Sequence, residues 1–214
     1  MMSTNDGFNL LNKDLLETVF QEIGKSLKHL KGKFKVELII VGGASILLNY
    51  NFRETTEDID CYEEYGLLMN DITSRIRDKY HLADDWINTD FKNTTSFTNK
   101  IVQYSQYYKT YNGVLVVRTI KDEYLIAMKL VAGRNHKHDY SDIYGILKAN
   151  SGIDLNKINK AVIDLYGSLD FVDEEAYKMT QGVINRNLSL SYDEIVDVEK
   201  DNRIKLIKSF QNKK

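Results

Sequence analysis

From Asn12 to Lys31 the apolar positions Leu15, Leu16, Val19, Phe20, Ile23, Leu27 and Leu30 recur at steps of three and four, the period of a helix that buries one face. Asn12 stands where a capping side chain is needed, and Gly32 closes the pattern. Phe34 to Val41 breaks the rhythm: the run VELIIV is interrupted only by Glu37, which predicts a largely buried strand. A helical step returns from Ala44 to Tyr50 through Ile46 and Leu47, and Asn51 to Glu57 reads as a loop. In Asp58 to Tyr62, Ile59 and Cys61 alternate with Asp58, Asp60 and Tyr62. A strand there sends the two small apolar side chains inward and both aspartates the other way.

Leu67, Leu68, Ile72, Ile76 and Tyr80 predict a further amphipathic helix over Tyr65 to Tyr80. Residues 81 to 100 are mostly polar, with Trp86 and Ile87 as their apolar marks. Gln103 to Lys109 and Gly113 to Ile120 read as strands, the second rich in β-branched residues. Beyond Lys121 only helical patterns follow: Glu123 to Ala132, His138 to Ala149, Leu155 to Leu169, and one or two more between 172 and 214. The predicted order is an α/β part and then an all-helical part, with a boundary near residue 121.

Composition narrows this outline. A chain of 214 residues, 43 % hydrophobic and 28 % charged, is long enough for one sizeable core or a core with a smaller companion. The opening MMSTNDGFNLLNKD lacks the basic-then-apolar order of a secretory signal, and no run of apolar residues is long enough to span a membrane. A soluble, cytoplasmic protein is the expectation. The single cysteine, Cys61, excludes an internal disulfide framework and a cysteine-rich zinc site. Net charge is -2, which gives no general pull toward nucleic acid. Local basic and aromatic clusters do exist: Tyr104, Tyr107, Tyr108 and Tyr111 with Lys100 and Lys109, and Lys200, Arg203, Lys205, Lys208, Lys213 and Lys214 near the end. Each fits either a nucleic-acid surface or an ordinary strand rim and solvated helix face.

The chemistry concentrates in GGASILLNYNFRETTEDID, Gly42 to Asp60. Glycines after a strand let other groups approach the main chain, and the amides that open the next helix favour phosphate. Two carboxylates on one face of a neighbouring strand suit divalent cations that bind the same phosphates. The Gly-Gly turn, short helix, Arg-containing loop with Thr56, and Asp58-Ile59-Asp60 resemble the nucleotidyltransferase superfamily of polymerase-beta-like minimal folds. The likeness is nearest to its toxin-antitoxin and abortive-infection branch and related uncharacterised bacterial proteins. YLIAMKLVAGRNHKHDYSDIYGIL, Tyr124 to Leu147, is similar to the same branch, and Trp86-Ile87-Asn88 resembles a segment of some members.

The resemblance implies an α+β fold: a nucleotidyltransferase-like mixed sheet with flanking helices over residues 1–121, then a helical domain over 122–214 that closes the cleft. It assigns Gly42 and Gly43 to the phosphate turn, with Ser45 and Thr56 beside the nucleotide. Asp58 and Asp60 become the metal pair, Lys129 the cation that meets the nucleotide, and Arg134 and Asp139 its neighbours. Read from its helix alone, Lys129 is either solvated or turned into the cleft. Mg²⁺ or Mn²⁺ is the implied cofactor and an NTP the implied donor, with an RNA such as tRNA or a protein as acceptor. A cognate antitoxin is implied as a partner, with no DNA or membrane. Catalytic members usually carry a third carboxylate on a later strand, whereas Gly113 to Ile120 has no acid and Asp84, Asp85, Asp90, Asp122 and Glu123 flank it. The alternative is therefore a catalytically impaired nucleotide-binding or regulatory protein on the same scaffold.

Overall fold

A computed structural model describes residues 7–30, 35–62 and 66–211. Gly32, Phe34, Tyr65, Lys213 and Lys214, and the side chains of Leu67 and Leu68, lie outside the described residues. The chain divides into two compact units, Met1–Asn93 with Ile101–Lys121, and Thr94–Lys100 with Asp122–Lys214.

The first unit contains α1 (Lys13–His29), β1 (Val36–Ile40), α2 (Gly42–Asn49), β2 (Ile59–Tyr62), α3 (Gly66–Tyr80), β3 (Ile87–Asn88), β4 (Ser105–Tyr111) and β5 (Leu115–Ile120). Its five strands form one mixed sheet in the order β3-β2-β1-β5-β4. The β1–β5 and β2–β3 pairs are parallel, and the β1–β2 and β4–β5 pairs antiparallel. The Asn12 side chain accepts the Leu15 amide at 2.9 Å and so starts α1. Leu16, Val19, Phe20, Ile23 and Leu27 then join Val36, Leu38 and Ile40 of β1, Leu115 and Val117 of β5, and Ile72 and Ile76 of α3 in one core. Burial of Phe20 or Ile23 contributes roughly 1.5–3 kcal/mol apiece.

Strand β2 follows its period-two pattern. Ile59 and Cys61 enter that core, so Asp58, Asp60 and Tyr62 occupy the other face. Helix α2 begins at Gly42, two residues before the first position with a helical apolar signal, because glycines contribute nothing to an apolar pattern. Residues 81 to 100 resolve into β3 and two 3₁₀ turns, Asp90–Asn93 and Asn99–Val102. Trp86 is buried beside β3, and its indole N–H donates to the Thr73 carbonyl at 3.2 Å.

The second unit holds α4 (Asp122–Ala132), α5 (Asp139–Ala149), α6 (Leu155–Tyr166), α7 (Glu174–Ile184) and α8 (Tyr192–Gln211). Asp154 and Asp173 cap α6 and α7 through the Lys157 and Ala176 amides. Thr94–Lys100 belongs here because Tyr166 Oη donates to the Ser96 carbonyl at 2.7 Å and Lys100 Nζ to the Asp164 carbonyl at 2.8 Å. The mixed sheet with flanking helices, followed by a helical C-terminal region, is the α+β arrangement expected from the sequence. Among the described residues no helix is long and apolar enough to cross a membrane.

Candidate functional site

Strand β1 ends against β2, where the Val41 amide donates to the Asp60 carbonyl at 2.9 Å. The next residue, Gly42, takes φ +60°, a left-handed value that costs other residues free energy. A Cβ on Gly42 would stand 3.0 Å from Asp60 Oδ2. On Gly43 it would stand 2.7 Å from the Arg53 guanidinium carbon and 2.8 Å from Thr56 Oγ1. The two glycines are thus the space into which a carboxylate, a guanidinium and a hydroxyl approach one stretch of main chain. The residue at the N-cap of α2 is Val41, whose side chain makes no capping hydrogen bond, and the start of a helix is a place that favours anions.

The loop that carries the cation is tied down from both sides. Leu11 and Thr56 exchange backbone hydrogen bonds of 2.9 and 2.8 Å, while Arg53 Nε donates to the Thr55 carbonyl at 2.9 Å and Nη2 to Thr56 Oγ1 at 3.5 Å. Arg53 is therefore the cation held at the glycine turn. In the sequence it was only a feature of the loop, and the Arg-x-x-Thr spacing before the paired aspartates was the available signal.

Asp58 and Asp60 share a face of β2 and its lead-in. Strand β3 adds Asn88, which pairs with Asp60 in the sheet register and donates its side-chain amide to Asp58 Oδ2 at 3.3 Å. Asn88 is itself fixed, because its Oδ1 accepts the Asp90 amide at 2.8 Å. Two carboxylates beside phosphate-seeking amides fit Mg²⁺, a hard cation that keeps several waters and takes further oxygens from a nucleotide. Among the described residues no group of three or more His, Cys, Asp or Glu is arranged to hold a metal. Strand β5 contributes no acid. Ile39 of β1 is flanked in register by Tyr62 and Arg118, and the Arg118 guanidinium is bound to Ser105 Oγ at 2.7 Å and the Ser105 carbonyl at 3.0 Å.

Ser45 is fully buried in α2, and its Oγ has no hydrogen-bond partner among the described residues. It lines the interior behind the turn and does not present a hydroxyl at its surface.

Lys129, Arg134 and Asp139 come together in the helical unit. Lys129 is only 6 % exposed, and its ammonium lies 3.1 Å from Asp139 Oδ1 and 2.8 Å from Asp142 Oδ2. Arg134 grips the same Asp139 through Nε at 2.8 Å, Nη2 at 3.2 Å and its backbone amide at 3.2 Å. Burial alone would raise the Asp139 pKa, but Lys129 and Arg134 outweigh it and hold the carboxyl at about 2. Here the Lys129 side chain is buried. It neutralises two buried acids at the start of α5.

Glu199 of α8 completes that helix start, its Oε1 accepting the Tyr140 amide at 2.8 Å and the Ser141 amide at 3.2 Å. Its other oxygen faces His138 Nδ1 at 3.7 Å. Burial first, and the Asp142 charge in addition, raise the Glu199 pKa to about 7 against the opposing pull of the amides and the Ser141 hydroxyl. Nothing in the local sequence marks Glu199, because its partners lie about sixty residues earlier.

The tyrosine run is largely engaged within its own unit. Tyr108 and Tyr111 donate to Glu17 at 2.6 and 3.0 Å, and Lys109 donates to the same carboxylate at 2.6 Å. Tyr107, 61 % exposed, points outward.

Against known proteins, a family described as nucleotidyltransferases of unknown function, DUF6036, matches residues 14–200. No curated protein and no solved structure matches the chain.

Proposed function

Because the chain belongs to the DUF6036 nucleotidyltransferases, we propose that it moves a nucleoside monophosphate from an NTP to a hydroxyl, using the pocket around Gly42 and Asp60. The observation that carries this reading is the convergence at the glycine turn. Asp60, Arg53 and Thr56 all approach positions where a Cβ would be crowded out, so the glycines serve a close approach and not merely a bend. In this reading the opening amides of α2 and the Arg53 guanidinium hold the β- and γ-phosphates. Asp58 and Asp60 would hold Mg²⁺, with Asn88 fixing the orientation of Asp58. Bound there, the cation would supply charge neutralisation at the reacting phosphate.

The acceptor oxygen forms a bond to the α-phosphorus as the bond from that phosphorus to the bridging oxygen breaks. Pyrophosphate leaves with the electron pair, and the hydroxyl proton passes to water. Arg53 stabilises the charge that accumulates on the departing phosphates. Lys129, Arg134 and Asp139 support the start of α5 in this reading. The acceptor is an RNA 3′ end, such as that of tRNA, or a protein hydroxyl, and a toxin restrained by an antitoxin is the biological setting that we associate with it.

A second reading rests on β5, whose Leu115–Ile120 stretch carries Arg118 and no acid. A pocket with two carboxylates would bind Mg²⁺ and nucleotide in a regulatory role without efficient transfer. Incubation with α-labelled NTPs, Mg²⁺ or Mn²⁺, and total RNA or cell protein separates the two. Label that reaches RNA or protein with the wild type but not with Asp58→Ala/Asp60→Ala supports transfer and identifies the acceptor class. Metal-dependent nucleotide binding without label transfer supports the regulatory protein, and absence of both activities rejects the pocket.

A further inference from the structure

Helix α8 packs against α5. Ile195 and Glu199 are buried there, and Asn202 Nδ2 donates to the Asn135 carbonyl at 3.0 Å. A buried glutamate one turn from a buried isoleucine is a costly member of a helix contact unless its charge is matched. Glu199 is matched on one side only. Its Oε1 accepts the Tyr140 and Ser141 amides, whereas Oε2, also buried, has no hydrogen-bond partner among the described residues.

The charges at the start of α5 leave this carboxyl over. Lys129 of α4 is shared by Asp139 and Asp142, and Arg134 binds Asp139 as well. Three acids, Asp139, Asp142 and Glu199, thus meet two cations, and both cations are engaged by the other two acids. From α5, the Asp142 charge opposes ionisation of Glu199, while the Ser141 hydroxyl and the two amides favour it. On α8 itself, Lys200 lies 3.1 Å from Asp197, and Arg203 stands exposed one turn further on. Oε2 faces Nδ1 of His138 at 3.7 Å, and that side chain is 43 % exposed. The imidazole therefore connects the buried oxygen with solvent.

We propose that the docking of α8 on α5 is a proton-controlled latch, closed while Glu199 keeps its carboxyl proton and released when His138 passes that proton to water. On leaving, the proton moves from Oε2 to Nδ1 of the neutral ring, and the imidazolium so formed gives one to solvent. The carboxylate left behind is buried, has one oxygen without a donor, and stands near the Asp142 charge. Undocking supplies it with water. Burial first of all keeps the docked carboxyl protonated up to about pH 7, against 4.5 for an exposed one. Docking is thus favoured in full below 4.5, and the opening of α8 grows by up to about tenfold per pH unit from there to 7, then levels off.

Hydrogen exchange of the full chain, followed by mass spectrometry from pH 5 to 8 and corrected for the intrinsic pH dependence of amide exchange, tests the latch. In wild type, protection over residues 195–202 is expected to be lower than that of α6 and to fall at least about tenfold between pH 5 and 7. Glu199→Gln keeps an acceptor for both amides and has no proton to lose, so its α8 protection should be the same at either pH. The wild type alone supplies a second check that needs no variant to fold. There the Glu199 carboxyl carbon, followed by NMR, must titrate where the opening of α8 levels off. Protection of α8 that does not change with pH overturns the proposal, as does a pH dependence retained in Glu199→Gln or a titration elsewhere. Equal protection of α6 and α8 at every pH overturns it too, since the proton would then govern unfolding of the whole helical unit and not release of one helix.

Discussion

Gly43 has no room for a methyl group: the end of the flexible Arg53 side chain and the hydroxyl of the buried Thr56 both crowd it. A Cβ would lie 2.7 Å from the Arg53 guanidinium carbon and 2.8 Å from Thr56 Oγ1, so Gly43→Ala is expected to displace Arg53 and to turn the Thr56 hydroxyl aside. The substitution also gains up to about 1 kcal/mol of helix propensity in α2, which offsets part of the steric cost. Unfolding free energy measured in urea should accordingly change by no more than about 1 kcal/mol. Affinity for a non-hydrolysable Mg²⁺·ATP analogue, measured by calorimetric titration, should fall at least about tenfold if Arg53 meets phosphate. Unchanged affinity would remove Arg53 from the proposed pocket.

Glu199 is buried, and its pKa near 7 stands above the usual carboxylate value of 4.5. Below 4.5 the carboxyl is protonated whether the chain is folded or not, and its contribution to stability is fully present. Between 4.5 and 7 the unfolded chain releases the proton that the folded chain keeps, so stability falls as pH rises; above 7 the contribution is gone. The loss is on the order of 3 kcal/mol. Glu199→Gln keeps an acceptor for the Tyr140 and Ser141 amides without the titration. Its stability should match wild type near pH 4.5 and exceed it near pH 8, and parallel stability curves across that range would refute this assignment.

Among the elements, the start of α5 shows most plainly what a linear pattern conceals. The apolar positions of α4 placed Lys129 off the apolar stripe, which in isolation means solvent or an open cleft. Its partners Asp139 and Asp142 arrive ten and thirteen residues later, across a turn, and no periodicity registers a pair of buried carboxylates. By contrast, β2 was legible because alternation over four residues has a single physical solution, with Ile59 and Cys61 inward and both aspartates outward. Strand β3 is only Ile87–Asn88, too short for any period, so Asn88 as the partner of Asp58 was hidden with it. Lys129→Ala removes the ammonium shared by two buried acids and is expected to destabilise the helical unit by about 3–5 kcal/mol. A urea midpoint lowered by that amount would confirm the structural task, whereas an undisturbed midpoint with lost nucleotide affinity would return Lys129 to the phosphates.

On the scale of the whole chain, the period changes from strands to helices near residue 121, but nothing in the local pattern marks Thr94–Lys100 as part of the helical unit. That short segment joins the helical unit through Tyr166 and Asp164, contacts about seventy residues away in sequence. Gly42, Gly43, Arg53, Thr56, Asp58 and Asp60 belong to the α/β unit. Lys129, Arg134 and Asp139 belong to the helical one. Two units with separate cores are expected to give two transitions in differential scanning calorimetry, and a ligand stabilises only the unit that binds it in folded form. Mg²⁺·ATP at about one hundred times its dissociation constant contributes about 2.7 kcal/mol, enough to raise the midpoint of a domain this size by about 10 °C. The shift should appear in the α/β transition, leave the helical transition in place, and vanish in Asp58→Ala/Asp60→Ala. Movement of the helical transition would show that its cations share the nucleotide, and Arg134, half exposed beside its buried acid, would then be the first residue to substitute.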